Sequence, residues 1–254
     1  MTKAKTPPAR KKPAPRSPAK ESARASEAAD ASLLRRILRW IGRGALGILA
    51  VLVALILLFA LVNPPTTLTM IAAGDLSGRV RREWVDLEDM APSLPLSVVA
   101  AEDANFCEHW GFDMTAIRAA LDDGAKRGAS TITQQVAKNV FLWQGRSWPR
   151  KALEAVMTPL IELVWTKRRI LEVYLNVAET GRGVFGMEAA AQHYYGVAAR
   201  DLTPAQAARL AAILPDPKDR DPRKLPPWLR NRAVLIADGA QTIAADGRAA
   251  CFRD

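Results

Sequence analysis

The sequence predicts a mainly α-helical protein, with one helix long enough to cross a membrane placed ahead of a helical globular domain. Three observations carry this. An unbroken apolar run occupies residues 44–62. Helix-start signatures then recur ahead of stretches whose apolar residues follow the 3.6-residue period. Alternating strand patterns are scarce.

Taken in chain order, the first segment is a tail. Residues 1–43 hold twelve Lys or Arg against the three acids Glu21, Glu27 and Asp30, so the tail carries +9 of the +10 net charge on the 254-residue chain. A nucleic-acid-binding fold displays its charge on a folded face. A basic tail on a nearly neutral domain therefore argues against nucleic acid as a partner. Richness in Ala, Pro, Lys, Arg and Ser, without apolar periodicity, predicts disorder over residues 1–30 and makes 1–43 a basic cytoplasmic tail. Its charge acts first as a topology signal and secondarily as a contact for anionic lipid.

Residues 44–63 form the predicted transmembrane segment. Gly44 to Val62 carries no charge, and Pro64-Pro65 stops the helix. Nineteen helical residues span about 28 Å, enough for a hydrocarbon core. The run is too long for the core of a signal peptide, and no clear small-x-small cleavage site follows it. Arg35, Arg36, Arg39 and Arg43 precede it, with Trp40 at interface depth, and the first charge after it is Asp75. The positive-inside rule then places the N-terminus in the cytoplasm and residues 64–254 outside.

In residues 64–254, Thr131-Ile-Thr-Gln134 fits a capping box ahead of a helix through Phe141. Pro149 suits the first turn of a long helix whose apolar positions are Leu153, Val156, Met157, Leu160, Ile161 and Val164, with Pro159 expected to bend it. Thr166 is placed to cap a helix carrying Ile170, Leu171, Tyr174 and Leu175. Thr203-Pro-Ala-Gln206 is a second capping box, whose helix Pro215 ends, and Trp228 to Ile236 reads as the last helix.

Some patterns carry no chemistry. Gly181-Arg-Gly183-Val-Phe-Gly186 matches a dinucleotide fingerprint but lacks the following strand and acid, so it reads as a glycine turn. Two Cys and two His are too few for an ordinary Cys/His zinc cluster. A Cys107–Cys251 disulfide requires an oxidising compartment. The sequence does not bring the two thiols together, and the unpaired state is the expectation.

Three segments can carry chemistry. Residues 102–113 crowd acids against Phe106 and Trp110, an environment that raises a carboxyl pKa and suits a general acid or base. An exposed acidic helix start with Asp113 as N-cap explains the same residues and, on residue chemistry alone, has the edge. Residues 128–139 gather hydroxyls and amides at a helix N-terminus. Lys138, Arg146, Arg150 and Lys151 follow, interleaved with Phe141, Trp143 and Trp148, which fits an anionic, lipid-linked ligand as well as a solvated basic face. Glu172 lies one turn from Arg168 and from Asn176, where a routine ion pair is the plain reading.

Together these segments resemble one family. EDxxFxxHxGxD, GxSTITQQxxKN, RxxxRKxxE, KRRILExYLN and GxxxAAxxYxG occur in order, as in the peptidoglycan glycosyltransferase domain of class A penicillin-binding proteins. The resemblance covers about residues 64–237. It is to the monofunctional biosynthetic transglycosylases, because a transpeptidase domain has no room here.

The resemblance implies a lysozyme-like α-helical domain and lipid II as substrate. The disaccharide units would be joined into β-1,4-linked strands with inversion and release of undecaprenyl pyrophosphate. It implies Glu102 as general base and Glu172 as a second acid, assisting the pyrophosphate or holding a divalent cation, Mg or Mn, beside it. Ser130, Gln134, Gln135, Lys138, Arg146 and Arg150 would bind the donor. It further implies a bacterial inner-membrane location with the domain on the periplasmic side, the nascent glycan as partner, and other cell-wall synthesis or division proteins as recruiters. A membrane-anchored lytic muramidase and a non-enzymatic scaffold are the alternatives.

Overall fold

The structure, a computed structural model, describes residues 18–74, 78–124, 128–145 and 147–253, with side chains from residue 35 onward. Residues 1–17 of the tail, and Arg146, lie outside the described residues. Helix α1 runs Pro18–Phe59. It therefore begins inside the segment for which disorder was expected. Residues 19–34 contain no Gly or Pro and are mostly Ala, Glu, Lys, Arg, Ser and Leu, a composition with good helix propensity. Its other end falls at Phe59, earlier than the expected stop near Val62, because residues 60–62 already form a turn ahead of Pro64. Among the described residues, Arg35–Phe59 is the one stretch long and apolar enough to cross a membrane. The Arg43 guanidinium stacks 5.5 Å from the centre of the Trp40 ring.

The remaining chain is mainly helical: α2 (Leu68–Ala73), α3 (Ser93–Glu102), α4 (Met114–Asp122), α5 (Ile132–Val136), α6 (Trp148–Val164), α7 (Lys167–Val177), α8 (Met187–Tyr195), α9 (Pro204–Ile213), α10 (Pro227–Ala245) and α11 (Ala250–Arg253). A small sheet has the order β1–β3–β2. Strand β1 (Arg81–Arg82) runs parallel to β3 (Val184–Phe185), and β2 (Glu179–Gly181) pairs antiparallel with it. Residues 181–186 are thus part of a hairpin, with 182–183 as its turn. Gly186 has φ +81°, and a Cβ there would lie 2.8 Å from the Asn176 carbonyl oxygen, so glycine is required.

The predicted caps form. Thr131 and Thr203 each close a capping box with Gln134 and Gln206, Thr166 accepts from the Arg169 N–H, and Pro149 and Pro204 sit in first turns. Two helices differ from expectation. The segment after Thr131 turns from α5 into a π-helical turn at Ala137–Phe141, and the last long helix is α10, reaching Ala245. Helix α3 buries Leu94, Leu96, Val98 and Val99. It is apolar all round because it packs on both α9 and α10. Helix α5 packs on α6 and α7, and the catalytic candidates lie on these elements.

Helix α6 reverses its expected orientation in part. Met157 and Ile161 are buried, but Leu153, Val156 and Val164 are exposed. The buried stripe is instead Arg150, Glu154, Thr158 and Glu162, spaced four residues apart. Polar residues on a buried face require partners, and each has one. Arg150 and Lys151 pair with Glu154, Thr158 Oγ1 donates to the Glu154 carbonyl, and Glu162 accepts from Lys167 and Thr133.

Cys107 and Cys251 are disulfide-bonded, against expectation. The bond ties α11 to the loop that follows α3. Packing of α11 against α7, and of Phe252 near Phe106, brings the two cysteines together in a way their separation of 144 residues conceals. A loop that long gives an unfolded-state constraint of at most roughly 5 kcal/mol. Reduction, or Cys107→Ser with Cys251→Ser, is expected to lower the melting temperature in detergent by about 10 °C. A calorimetric scan that does not move would assign the bond no stabilising role.

Candidate active site

Glu102 is the last residue of α3, where the helix delivers it to a cavity of about 600 Å³ lined by Glu102, Gly128, Ser130, Gln135, Lys138, Pro215 and Arg232 among others. Four of the sequence-predicted residues, Glu102, Ser130, Gln135 and Lys138, therefore share one cavity. Burial pushes the Glu102 carboxyl above its ordinary value. The Gln135 amide, donating from Nε2 to Glu102 Oε2 at 2.7 Å, opposes that rise, as do the charges of Arg232 and Lys138, while Asp103 adds to it. The direction and the cause, burial, match the sequence reading, but not every aromatic residue named there supplies it. Phe106 is fully buried beneath the Lys167 ammonium, and Trp110 is exposed.

Asp103, next along, is structural. Its Oδ2 accepts from the Ile132 N–H at 3.0 Å and its Oδ1 contacts His109 Nε2 at 2.8 Å. It thereby fixes the end of α3 to the start of α5, and so Glu102 to Gln135. Asp113 caps α4 through the Ala116 N–H, as the plain reading of this segment expects. Gly111 (φ +80°) sits where a Cβ would come 2.4 Å from Thr158 Cγ2, and its carbonyl accepts from Thr131.

Beyond Glu102 lies a charge cluster. Arg150, buried, donates from Nε to the Gly145 carbonyl at 2.8 Å and from Nη1 to Glu154 Oε2 at 2.7 Å. Lys151 pairs with the other Glu154 oxygen and reaches Ser130 Oγ at 3.2 Å. Burial pulls the Lys138 pKa down. Glu154 and Glu102 oppose this, and Arg150 and Lys151 reinforce it. Arg150 and Lys151 share the buried Glu154 carboxylate, with Lys138 a third cation within reach of its charge, so the cluster is net positive and suited to an anionic oxygen group.

Three predicted residues do not line the cavity: Arg150, which lies beside it in the charge cluster, and Gln134 and Glu172, which stand elsewhere. Gln134 is buried and its Oε1 accepts from the Thr131 N–H, so its side chain serves the helix cap and does not line the cavity. Glu172 is not among the lining residues either, and its partner is not Arg168, which reaches Glu88. Glu172 instead pairs with Arg169. That guanidinium bonds the Phe59 and Val62 carbonyls and Asn63 Oδ1 at the end of α1. Glu172 belongs to the junction between anchor and domain. Phe141, read as a partner of cations, is buried in the core.

A family model described as Transglycosylase matches residues 69–241, most of the globular part. The chain belongs to the transglycosylase family. Curated relatives named biosynthetic peptidoglycan transglycosylase include one from Jannaschia sp. (strain CCS1), 57% identical over 220 residues, covering 87% of this chain and 92% of the relative. One from Xanthomonas campestris pv. campestris (strain B100) is 47% identical over 224 residues, covering 84% and 91%, and one from Stutzerimonas stutzeri (strain A1501) is 49% identical over 214, covering 80% and 88%. As a transglycosylase the chain is a glycosyltransferase with a lysozyme-like helical domain.

Sequence reasoning missed Glu154, the carboxylate at the centre of the cation cluster, and Arg232. Glu154 is the last residue of the RxxxRKxxE motif, and its spacing of four and three from Arg150 and Lys151 was a readable signal. Arg232 gave none, because it enters from α10, far along the chain. Glu154 and Glu172, the carboxylates beside these cations, fit a divalent cation poorly. Each Glu154 oxygen is paired with Arg150 or Lys151 and each Glu172 oxygen with Arg169 or the Leu87 N–H, and the neighbouring cations would repel a metal ion.

Proposed function

We propose that this transglycosylase polymerises lipid II into β-1,4-linked glycan strands in cell-wall synthesis. The observation that carries the reading is one cavity holding a carboxylate of raised pKa together with Lys138 and Ser130, the latter bonded to Lys151 of the Arg150–Lys151–Glu154 cluster. Glu102 accepts the proton of the acceptor 4-hydroxyl as that oxygen bonds to the donor anomeric carbon from the face opposite the leaving group. The anomeric C–O bond breaks, and its electron pair leaves with undecaprenyl pyrophosphate. Lys138, Lys151 and Arg150 offset the charge that develops on that group, with Ser130 beside Lys151. Glu154 holds Arg150 and Lys151 in place for it.

A muramidase would use Glu102 as the acid that protonates the departing sugar oxygen, and has no leaving pyrophosphate for the cations. A scaffold would need neither group. The relatives' printed names and the cation cluster both favour synthesis. The Arg35–Phe59 helix, with arginines before it, supports a single-pass inner-membrane anchor with the domain on the periplasmic side. The Cys107–Cys251 bond, which persists in an oxidising compartment, supports the same side. Tethering raises the effective concentration of a lipid-linked substrate at the site.

Purified full-length protein supplied with labelled lipid II is expected to yield polymer and free undecaprenyl pyrophosphate, and to leave preformed glycan intact. Fragments from preformed glycan without polymer would replace this reading with the muramidase, and neither activity would favour the scaffold.

A further inference from the structure

Glu102 rests on Gln135, and Gln135 rests on a residue with no role in the reaction described above. Tyr174, on α7, is buried, and its hydroxyl donates to Gln135 Oε1 at 3.0 Å. Gln135 Nε2 then donates to Glu102 Oε2 at 2.7 Å. A carboxamide has a donor end and an acceptor end of nearly the same shape, so Gln135 alone could present either to the carboxylate. The ionised carboxylate only accepts. The one polarity that satisfies all three groups while Glu102 is ionised runs from the Tyr174 O–H to the Gln135 carbonyl and from the Gln135 N–H to Glu102. Burial and the Glu102 charge both hold the Tyr174 phenol protonated, and so a donor. Hydrogen bonds in such a chain polarise one another, most strongly when its end is charged.

We propose that Tyr174 is a positioning residue for the general base, its hydroxyl fixing the Gln135 amide so that the N–H end faces Glu102. The proposal rests on the reading of Glu102 as base. The other groups that face Glu102 are Asp103 beside it, Lys138 from the π-helical turn and Arg232 from α10. None of these depends on the Tyr174 hydroxyl, so removing that hydroxyl perturbs the Gln135 bond selectively.

The test is the pH dependence of lipid II polymerisation by the full-length protein. Tyr174→Phe is expected to move the acid limb of kcat upward by roughly 0.5–1 pH unit, the scale of one hydrogen bond, with the maximal rate several-fold lower and KM little changed. Gln135→Leu is expected to move the limb the same way, and adding Tyr174→Phe to it should move it no further. 3-Fluorotyrosine placed at position 174, a stronger donor, should shift the limb to lower pH, and this decides the matter if Tyr174→Phe does not fold. An unmoved limb in a folded Tyr174→Phe or fluorotyrosine protein overturns the proposal, as does a Tyr174→Phe shift that persists undiminished in Gln135→Leu. Failure of the base reading looks different, because Glu102→Gln would then remain active.

Discussion

Glu102→Gln is expected to reduce polymerisation of lipid II by about 10²- to 10⁴-fold, the range for loss of a positioned general base. The amide keeps the shape and accepts no proton at neutral pH. The fold should persist, because the substitution removes a carboxylate whose charged form burial already disfavours. Gln135 retains an acceptor at the same place. The raised Glu102 pKa adds a second reading from the wild-type enzyme. A base works only when deprotonated, so activity should fall as pH drops through that raised value, above the ordinary carboxylate range, and the acid limb should be lost in Glu102→Gln. Glu172→Gln is the contrast. It breaks the Arg169 pair at the end of α1 and leaves the cavity intact, so it should cost stability and leave residual catalysis far above that of Glu102→Gln. Polymerisation by Glu102→Gln at the wild-type rate would sink the mechanism, and equal losses from the two substitutions would undo the separation of their roles.

Residues near Glu102 show why part of this site was legible in the sequence and part was not. Local grammar survived folding. The caps at Thr131, Thr166 and Thr203 depend on contacts within four residues, and all three formed. Glu102, Ser130 and Lys138 were reached by motif. The errors came where tertiary context overrides a local pattern. Glu172 did form a routine helical ion pair, but with Arg169 at i,i+3 and not with Arg168, and Arg169 also reaches the Phe59 carbonyl at the end of α1, more than a hundred residues away. Helix α6 has an apolar stripe, but the cation cluster claimed its inner face for Arg150 and Glu154, leaving Leu153 and Val156 outside. Whether Cys107 and Cys251 approach each other was not legible, because a separation of 144 residues carries no proximity signal. Part of the tail segment read as disordered, residues 18–30, lies in α1 for a different reason. Absence of apolar periodicity does not prevent a helix when the residues themselves favour one.

The second large effect belongs to the cations. Lys138→Met keeps the aliphatic length and removes the ammonium, and is expected to lower polymerisation by about 10²-fold or more, the scale of one preorganised charge at a developing anion. Stability should change little. Burial already lowers the Lys138 pKa, so the protein does not rely on that charge for folding, and Glu154 keeps Arg150 and Lys151 as partners. Glu154→Gln should behave in the opposite way. It strands two cations around a buried amide, for which a loss of roughly 3–5 kcal/mol is typical when one partner of a buried pair is removed. The two variants therefore separate binding chemistry from support, by rate in one and by melting temperature in the other. The pH profile gives a further check on Lys138. Its ammonium is lost as pH rises through a value below that of an ordinary lysine, so the alkaline limb of the wild-type profile should fall early and should disappear in Lys138→Met. Together with the raised acid limb from Glu102, this gives an activity window narrowed from both sides. Wild-type rates in Lys138→Met, with the alkaline limb unmoved, would return the cluster to the status of a solvated basic face and leave the leaving pyrophosphate without its proposed partner.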